Sequence, residues 1–186
     1  MARRGERDVR ARGLERAADA PEIAAWRAAF SAFGAKPKKY PCSAEALAAR
    51  VLKGGELPRV NRLVDLCNAV SVRHLVPVGG EDLDRLEGAL RLVVATGDER
   101  FDAPGGIEHP QPGEIAWRDD AGVTCRRWNW RQGTRTRMTE ATTRAFFVFD
   151  RLGGLAPAAL EVAIADLTDG LGPAARVRRI TLAAGA

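Results

Sequence analysis

Eight consecutive residues, Cys125-Arg126-Arg127-Trp128-Asn129-Trp130-Arg131-Gln132, concentrate more chemistry than any other stretch of the chain. Guanidinium groups pair with phosphate or carboxylate through a planar fork, and indole rings stack on bases. Read as a continuous strand, the segment puts Arg126, Trp128, Trp130 and Gln132 on one face and Cys125, Arg127, Asn129 and Arg131 on the other. Residues 126–137 hold five arginines and no acid, and residues 36–39 hold three of the four lysines. Such local patches suit phosphates. The competing reading is a solvated basic surface with one or both tryptophans anchoring the core.

Other chemistries find less support. The chain has no phosphate loop of the GxxxxGK[ST] kind, no GxSxG elbow, no HExxH and no CxxC. Its two histidines and three separated cysteines offer no metal-ligand spacing, so neither a metal nor a cofactor is expected. Ser71 and His74, three apart, share a helix face but lack an evident orienting acid for nucleophilic work. His74 is retained as a ligand-binding candidate. Asn68, a polar residue on an otherwise apolar helix, and the pair Gly79-Gly80, which permits close backbone approach, complete the set.

These residues need elements to hold them. Pro21 opens a helix with Ile23, Trp26, Phe30 and Phe33 at helical spacing, and Gly34 stops it. Ala35 to Pro41 reads as a rigid basic loop. Ser43 is placed as the cap of a second helix that buries Leu47, Val51 and Leu52. Val60, Leu63, Val64, Cys67 and Val70 form the apolar stripe of a third, which runs to about Val72. Val76-Pro77-Val78-Gly79-Gly80 is expected to break this helix sharply, with a short acidic helix or turn after it. Period-two patterning then takes over at Leu90–Val94, Ile115–Trp117 and Val123–Trp130, with a turn at Asp119–Gly122. Ala145–Phe149 reads as a buried central strand. Leu160, Ile164, Leu167 and Leu171 mark a last helix ended by Gly172-Pro173, and Val177–Leu182 is expected to close the sheet. Trp26, Phe30, Leu63, Val64, Phe147 and Ile164 are the expected core.

With helices dominating the first half and strands the second, the fold class is α+β. The 186 residues divide into an Arg-rich arm over 1–20, flexible or weakly helical, and a single domain over 21–186. The 29 basic residues, 25 of them arginine, exceed 24 acids and give a net charge of +5, which favours anionic partners. No apolar run approaches the ~20 residues of a membrane span, and the charged start is unlike a secretory signal. An odd number of distant cysteines argues against a disulfide framework, and the expected location is cytoplasmic.

Leu57 to Ser71, Val76 to Asp84 and the Cys125–Gln132 run together resemble the B3/B4 domain family, over roughly Pro21 to Leu171. That domain is the editing module of the phenylalanyl-tRNA synthetase β subunit, and this chain looks like one of its freestanding versions. The resemblance implies helices layered on a mostly antiparallel sheet. It also implies hydrolysis, in trans and without a covalent intermediate, of the ester of mischarged tRNA, with the aminoacylated 3′ end as partner. Of the family's Thr-Asn pair only Asn68 carries over, beside Cys67. The family's pocket histidine is replaced by Gly79, and its pocket glutamate has no counterpart within Phe146–Phe149, Asp150 lying just past that strand. Asn68, Asn129 and Arg131 are the catalytic candidates. Gly79, Gly80, Arg126, Arg127, Trp128, Trp130, Gln132 and His74 are the candidates for ligand or tRNA binding. Two alternatives stand beside this reading: a non-catalytic RNA-binding module, and a domain redirected to a small amino-acid-like or nucleotide-like ligand. Freestanding members carry a longer N-terminal portion with an extra strand, so a bare sheet edge that pairs with another chain is also expected.

Overall fold

A computed structural model describes residues 1–181. Its helices are α1 (Ala2–Ala11), α2 (Pro21–Ala32), α3 (Ser43–Leu52), α4 (Arg62–His74) and α5 (Pro157–Leu171). Helix α4 is the axis of the helical layer, with α1, α3 and α5 packed around it. Asn61 caps it by accepting a hydrogen bond from the Val64 amide at 2.9 Å, and Leu75 ends it in the left-handed conformation. Its Ala69 and Val72 join Ile23, Trp26 and Phe30 of α2 and Val51 of α3 in one buried cluster. Its Leu66, Cys67 and Val70 join Ala163 and Leu167 of α5 in a second.

The strands are β1 (Val78–Asp82), β2 (Arg91–Val94), β3 (Phe101–Ala103), β4 (Gly106–Glu108), β5 (Ile115–Arg118), β6 (Val123–Arg126), β7 (Arg131–Gln132) and β8 (Ala145–Phe149). They form two sheets. Strands β1 and β8 pair antiparallel, with Gly79 opposite Val148 and Gly80 opposite Phe147. The other sheet runs β2-β5-β6-β3-β4, with β7 folded back on β6 and one parallel pairing, β3 with β6. Alternation along β1 and β8 decides the layering. Val78, Ala145, Phe147 and Phe149 pack on the α4–α5 cluster, so Gly79, Glu81, Phe146, Val148 and Asp150 share the opposite face, on which Gly79 is exposed. Gln132 of β7 donates to Gly80 O at 2.6 Å and Glu81 Oε2 at 2.7 Å. The fold is α+β, with helices layered on a mostly antiparallel sheet arrangement.

Several expectations are corrected. The Arg-rich start is a docked helix: Val9 is fully buried, Glu6 accepts the Leu57 amide at 2.9 Å, and Gly5 lies so close to α4 that a Cβ there would stand 2.6 Å from Ala69 O. Cys42, not Ser43, caps α3, its Sγ accepting from the Glu45 amide. Val60 precedes α4 and is exposed. The expected break after α4 occurs, but at the left-handed Leu75; Gly79 and Gly80 lie inside β1 with ordinary φ, and a Cβ on Gly80 would press on the Met138 side-chain end and the Phe147 ring. Ala145–Phe149 is half-buried in a two-stranded sheet. Of the expected core, Trp26 and Phe30 are buried, whereas Leu63, Val64, Phe147 and Ile164 are only partly so. Residues 177–181 form no strand, Val177 and Ile180 are exposed, and Leu182 lies outside the described residues. β2 and β4 end the larger sheet, with Leu92, Val94 and Ile107 exposed on them.

Candidate functional site

The Cys125–Gln132 run is a hairpin, not a continuous strand. β6 ends at Arg126, four residues turn, and β7 returns with Cys125 opposite Gln132 and Arg126 opposite Arg131. The reversal needs left-handed backbone at Arg127 (φ 45°) and Trp128 (φ 63°), an unusual demand on two bulky residues. Surrounding contacts hold it. The Trp128 amide donates to Ile115 O at 2.7 Å, Trp128 Nε1 to Asp150 Oδ1 at 3.1 Å, and Asn129 Nδ2 to Asp150 Oδ2 at 3.3 Å. The Ser43 amide, at the start of α3, donates to Asn129 O at 3.2 Å.

The turn sends its side chains two ways. Trp128 meets the Trp26 ring edge-on at 5.1 Å and belongs to the helical core, as the anchoring reading supposed. Asn129 is buried against Asp150. On the other side, Arg127 lies 3.8 Å from the Tyr40 ring centre and 4.7 Å from that of Trp130, and Tyr40 meets Trp130 edge-on at 4.9 Å. These three residues wall a cleft of about 770 Å³, lined also by Lys36, Lys39, His109 and Gln111. Lys36 and Lys39 are exposed and have no ion-pair partner among the described residues. Lys39, backed by Arg127 and Arg126, draws the Tyr40 phenol below its usual pKa.

The other arginines are largely committed. Arg126 is buried between two carboxylates, Nη2 reaching Glu114 and Nη1 reaching Glu108, each at 2.9 Å. Glu114 also accepts the Arg127 amide at 3.1 Å and pairs with its guanidinium at 3.2 Å. Arg131 pairs with Glu108, which that contact holds below the usual carboxylate range, and stacks near Phe101 and Trp130. Its Nε is buried and finds no acceptor among the described residues. Of the three, Arg126 and Arg127 line the cleft, and Arg127 is the one that lies against its walling rings, Tyr40 and Trp130.

The remaining candidates lie elsewhere. Gln132 bridges the two sheets by its bond to Gly80 O, whereas Gly79 is exposed on β1. Asn68 is half-buried on α4, makes no side-chain hydrogen bond among the described residues and does not line the cleft. His74 Nε2 sits 2.6 Å from Asp166 Oδ2, where Arg73 also binds, so it ties α4 to α5. Asp166 supplies the acid that the Ser71–His74 pair seemed to lack. Ser71 is nevertheless sealed in the interior, and its hydroxyl makes no hydrogen bond to the ring. Cys125 is no better a nucleophile: burial, then the charges of Glu81 and Asp150, push its thiol well above the ordinary value.

Sequence reasoning missed Tyr40, His109, Glu114 and Asp150. Tyr40 carried a signal, since it ends the Lys36–Lys39 loop; Glu114 and Asp150 are single acids whose roles arise only from long-range pairing. Among the described residues no helix is long and apolar enough to cross a membrane, and no cluster of metal-ligating side chains occurs. No curated protein matches the chain. The model of the B3/4 domain matches residues 25–156, the span that runs from α2 through the cleft and the hairpin to just past Asp150, and the chain belongs to that family.

Proposed function

We propose that the protein hydrolyses the ester bond of mischarged aminoacyl-tRNA in trans, with the Arg127–Trp130 turn receiving the 3′ end. One observation supports this reading: the unpaired basic loop Lys36–Lys39 and the hairpin residues Arg126 and Arg127 converge on a single cleft walled by Tyr40 and Trp130. Lys36, Lys39 and His109 offer charge and N–H groups to phosphates, and Trp130 and Tyr40 offer stacking surface to a terminal base. Arg127 lies against both rings on the cleft wall, with one Nη shared with Glu114. An aminoacyl ester is already activated, so a positioned water and a donor for the developing oxyanion suffice. Asn129, fixed by Asp150, and Arg131, with its unused Nε, are the groups assigned to that work. The poor nucleophilicity of Cys125 and the sealing of Ser71 agree with direct water attack.

A second reading, an RNA-binding module without catalysis, is favoured by the commitment of Arg126 to Glu114 and by the position of Asn68 outside the cleft. Deacylation against a panel of mischarged tRNAs separates the two. Hydrolysis of at least one species, lost in Asn129→Ala and Arg131→Ala while tRNA still binds, supports the deacylase. Tight binding with no hydrolysis of any species supports the module.

A further inference from the structure

One edge of the smaller sheet is left open. Strand β8 reads Ala145-Phe146-Phe147-Val148-Phe149, all apolar and uncharged, and each residue is only half-buried. β1 pairs with one of its edges, and no strand pairs with the other among the described residues. A two-stranded sheet is marginal in water without further cover. The outermost strands of the larger sheet carry charges that discourage pairing, Arg91 on β2 and Glu108 on β4, whereas β8 carries none.

The hydrogen bonds show which groups are left over. Arg144 O accepts the Leu83 amide at 2.9 Å, and the Asp150 amide donates to Pro77 O at 3.2 Å. The even-numbered residues of this stretch therefore spend their backbone groups on β1, and in an antiparallel ladder the residues between them point theirs the other way. The N–H and C=O groups of Ala145, Phe147 and Phe149 line the free edge, and none has a partner among the described residues. The outer side of β1 is occupied by contrast: the Asp82 amide donates to Thr136 O at 2.8 Å, and Gly80 O accepts from Gln132.

The edge is complementary to itself. Antiparallel pairing about a two-fold axis at Phe147 sets Phe147 opposite Phe147 and Ala145 opposite Phe149 twice, which satisfies every open group of both edges. The same register sets Phe146 opposite Val148 and, at both ends, Arg144 opposite Asp150, so apolar meets apolar and cation meets anion. Arg144 is exposed with Asp84 as its partner at 2.7 Å, and Asp150 keeps its bonds to Trp128 and Asn129, so the match at the ends is one of sign and not a new ion pair. A slip of two residues either way sets Asp150 against Thr142 or Phe146 instead. We propose that β8 is the seat of a two-fold dimer of this chain, its free edge pairing with that of a second copy to make a continuous four-stranded sheet. The pairing does not depend on what the cleft binds, yet it lies close to it in the chain of contacts, because Asp150 follows β8 directly and holds Trp128 and Asn129 of the hairpin turn. The competing occupant is the chain's own residues 176–181, which form no strand and are held beside α5 by Arg179 on Glu161.

Sedimentation equilibrium of the full chain should give a mass that rises with concentration from 20.1 kDa toward twice that value. Amide exchange followed by NMR should slow at Ala145, Phe147 and Phe149 as concentration rises. The Phe146 and Val148 amides, bonded to β1, should be protected throughout. Ala145→Pro removes an edge N–H at the first position of the strand, where proline is accepted, and should give a monomer with a native spectrum. Should that variant not fold, Arg144→Glu, at an exposed position, opposes like charges at both ends and should raise the dimer Kd roughly fivefold or more. A monomer at every concentration overturns the proposal. So does a dimer in which the three odd-numbered amides exchange freely, or one whose Kd is unchanged in Arg144→Glu. Protection of those amides that is independent of concentration would assign the edge to residues 176–181 of the same chain, and overturns it as well.

Discussion

Asp150 illustrates how a single residue can couple the folded state to pH. It accepts from Trp128 and Asn129, so it holds the strained turn, yet it has no cation and burial raises its pKa to about 6 from an ordinary 3.8. An acid whose pKa rises on folding binds its proton more tightly in the folded state. Its contribution is therefore most favourable below about 3.8 and is lost as pH rises through about 6. Over that window the loss is about 3 kcal/mol at most, at ~1.4 kcal/mol per pKa unit. Glu81 acts in the same direction, so the measurement must isolate Asp150. Urea denaturation of the wild type and Asp150→Asn across this range should show the wild type losing ground to the variant as pH rises. Parallel profiles would falsify the assignment. The same residue shows a limit of sequence reading: its place just past an apolar strand was plain, but its function depends on a turn 21 residues away.

At the scale of elements, the hairpin and α1 make opposite demands. The hairpin is held by Glu114, which is almost fully buried and receives Arg126 twice, the Arg127 amide and the Arg127 guanidinium. Glu114→Ala orphans all of these donors and should cost ~3–5 kcal/mol in chemical denaturation. Arg131→Ala, removing a half-exposed pair, should cost about 1 kcal/mol or less. Equal costs would mean that the turn does not rely on Glu114. For α1 the test is Gly5→Ala. Helix propensity alone predicts a gain of ~1 kcal/mol, but the new methyl would strike Ala69 O and Val72, and such overpacking costs ~1–3 kcal/mol. Net destabilisation, with faster amide exchange in residues 2–11, is the expected outcome; a stabilised variant would show that α1 is not seated on α4. These two elements also mark what was legible. Helices α2, α4 and α5 were readable from apolar spacing and from Pro21, Gly172 and the αL-prone ends, because local signals and packing agree there. The inner face of α1 is Ala2, Gly5, Glu6 and Val9, too polar and too small to register as an apolar stripe. The hairpin turn looked like a strand because its residues prefer strand; left-handed backbone at Arg127 and Trp128 is imposed by Asp150, Ile115 and Glu114, none of them local.

For the whole molecule, the distribution of charge matters more than its sum. Most arginines of the hairpin region are neutralised by carboxylates: Arg126 and Arg131 by Glu108 and Glu114, Arg135 by the buried Asp119 at 2.6 Å. The basic composition read from the sequence therefore overstates the charge available to a polyanion. What remains free at the cleft is Lys36 and Lys39, with Arg127 shared between Glu114 and its aromatic neighbours. This fixes the expected salt dependence of tRNA binding. Each phosphate contact on a single strand contributes a slope of ~0.7 in log K against log salt, through release of condensed ions. Replacing both Lys36 and Lys39 by Ala should flatten that slope by about 1.4 if each holds one phosphate. The thermal midpoint should not move, since both side chains are exposed and unpaired. Arg127→Lys should behave differently. An ammonium cannot lie flat against Tyr40 and Trp130, so affinity should fall at every salt concentration while the slope barely changes. A lysine double variant with an unaltered slope would place the phosphates on another surface, and the cleft would then lose its assignment as the seat of the tRNA end.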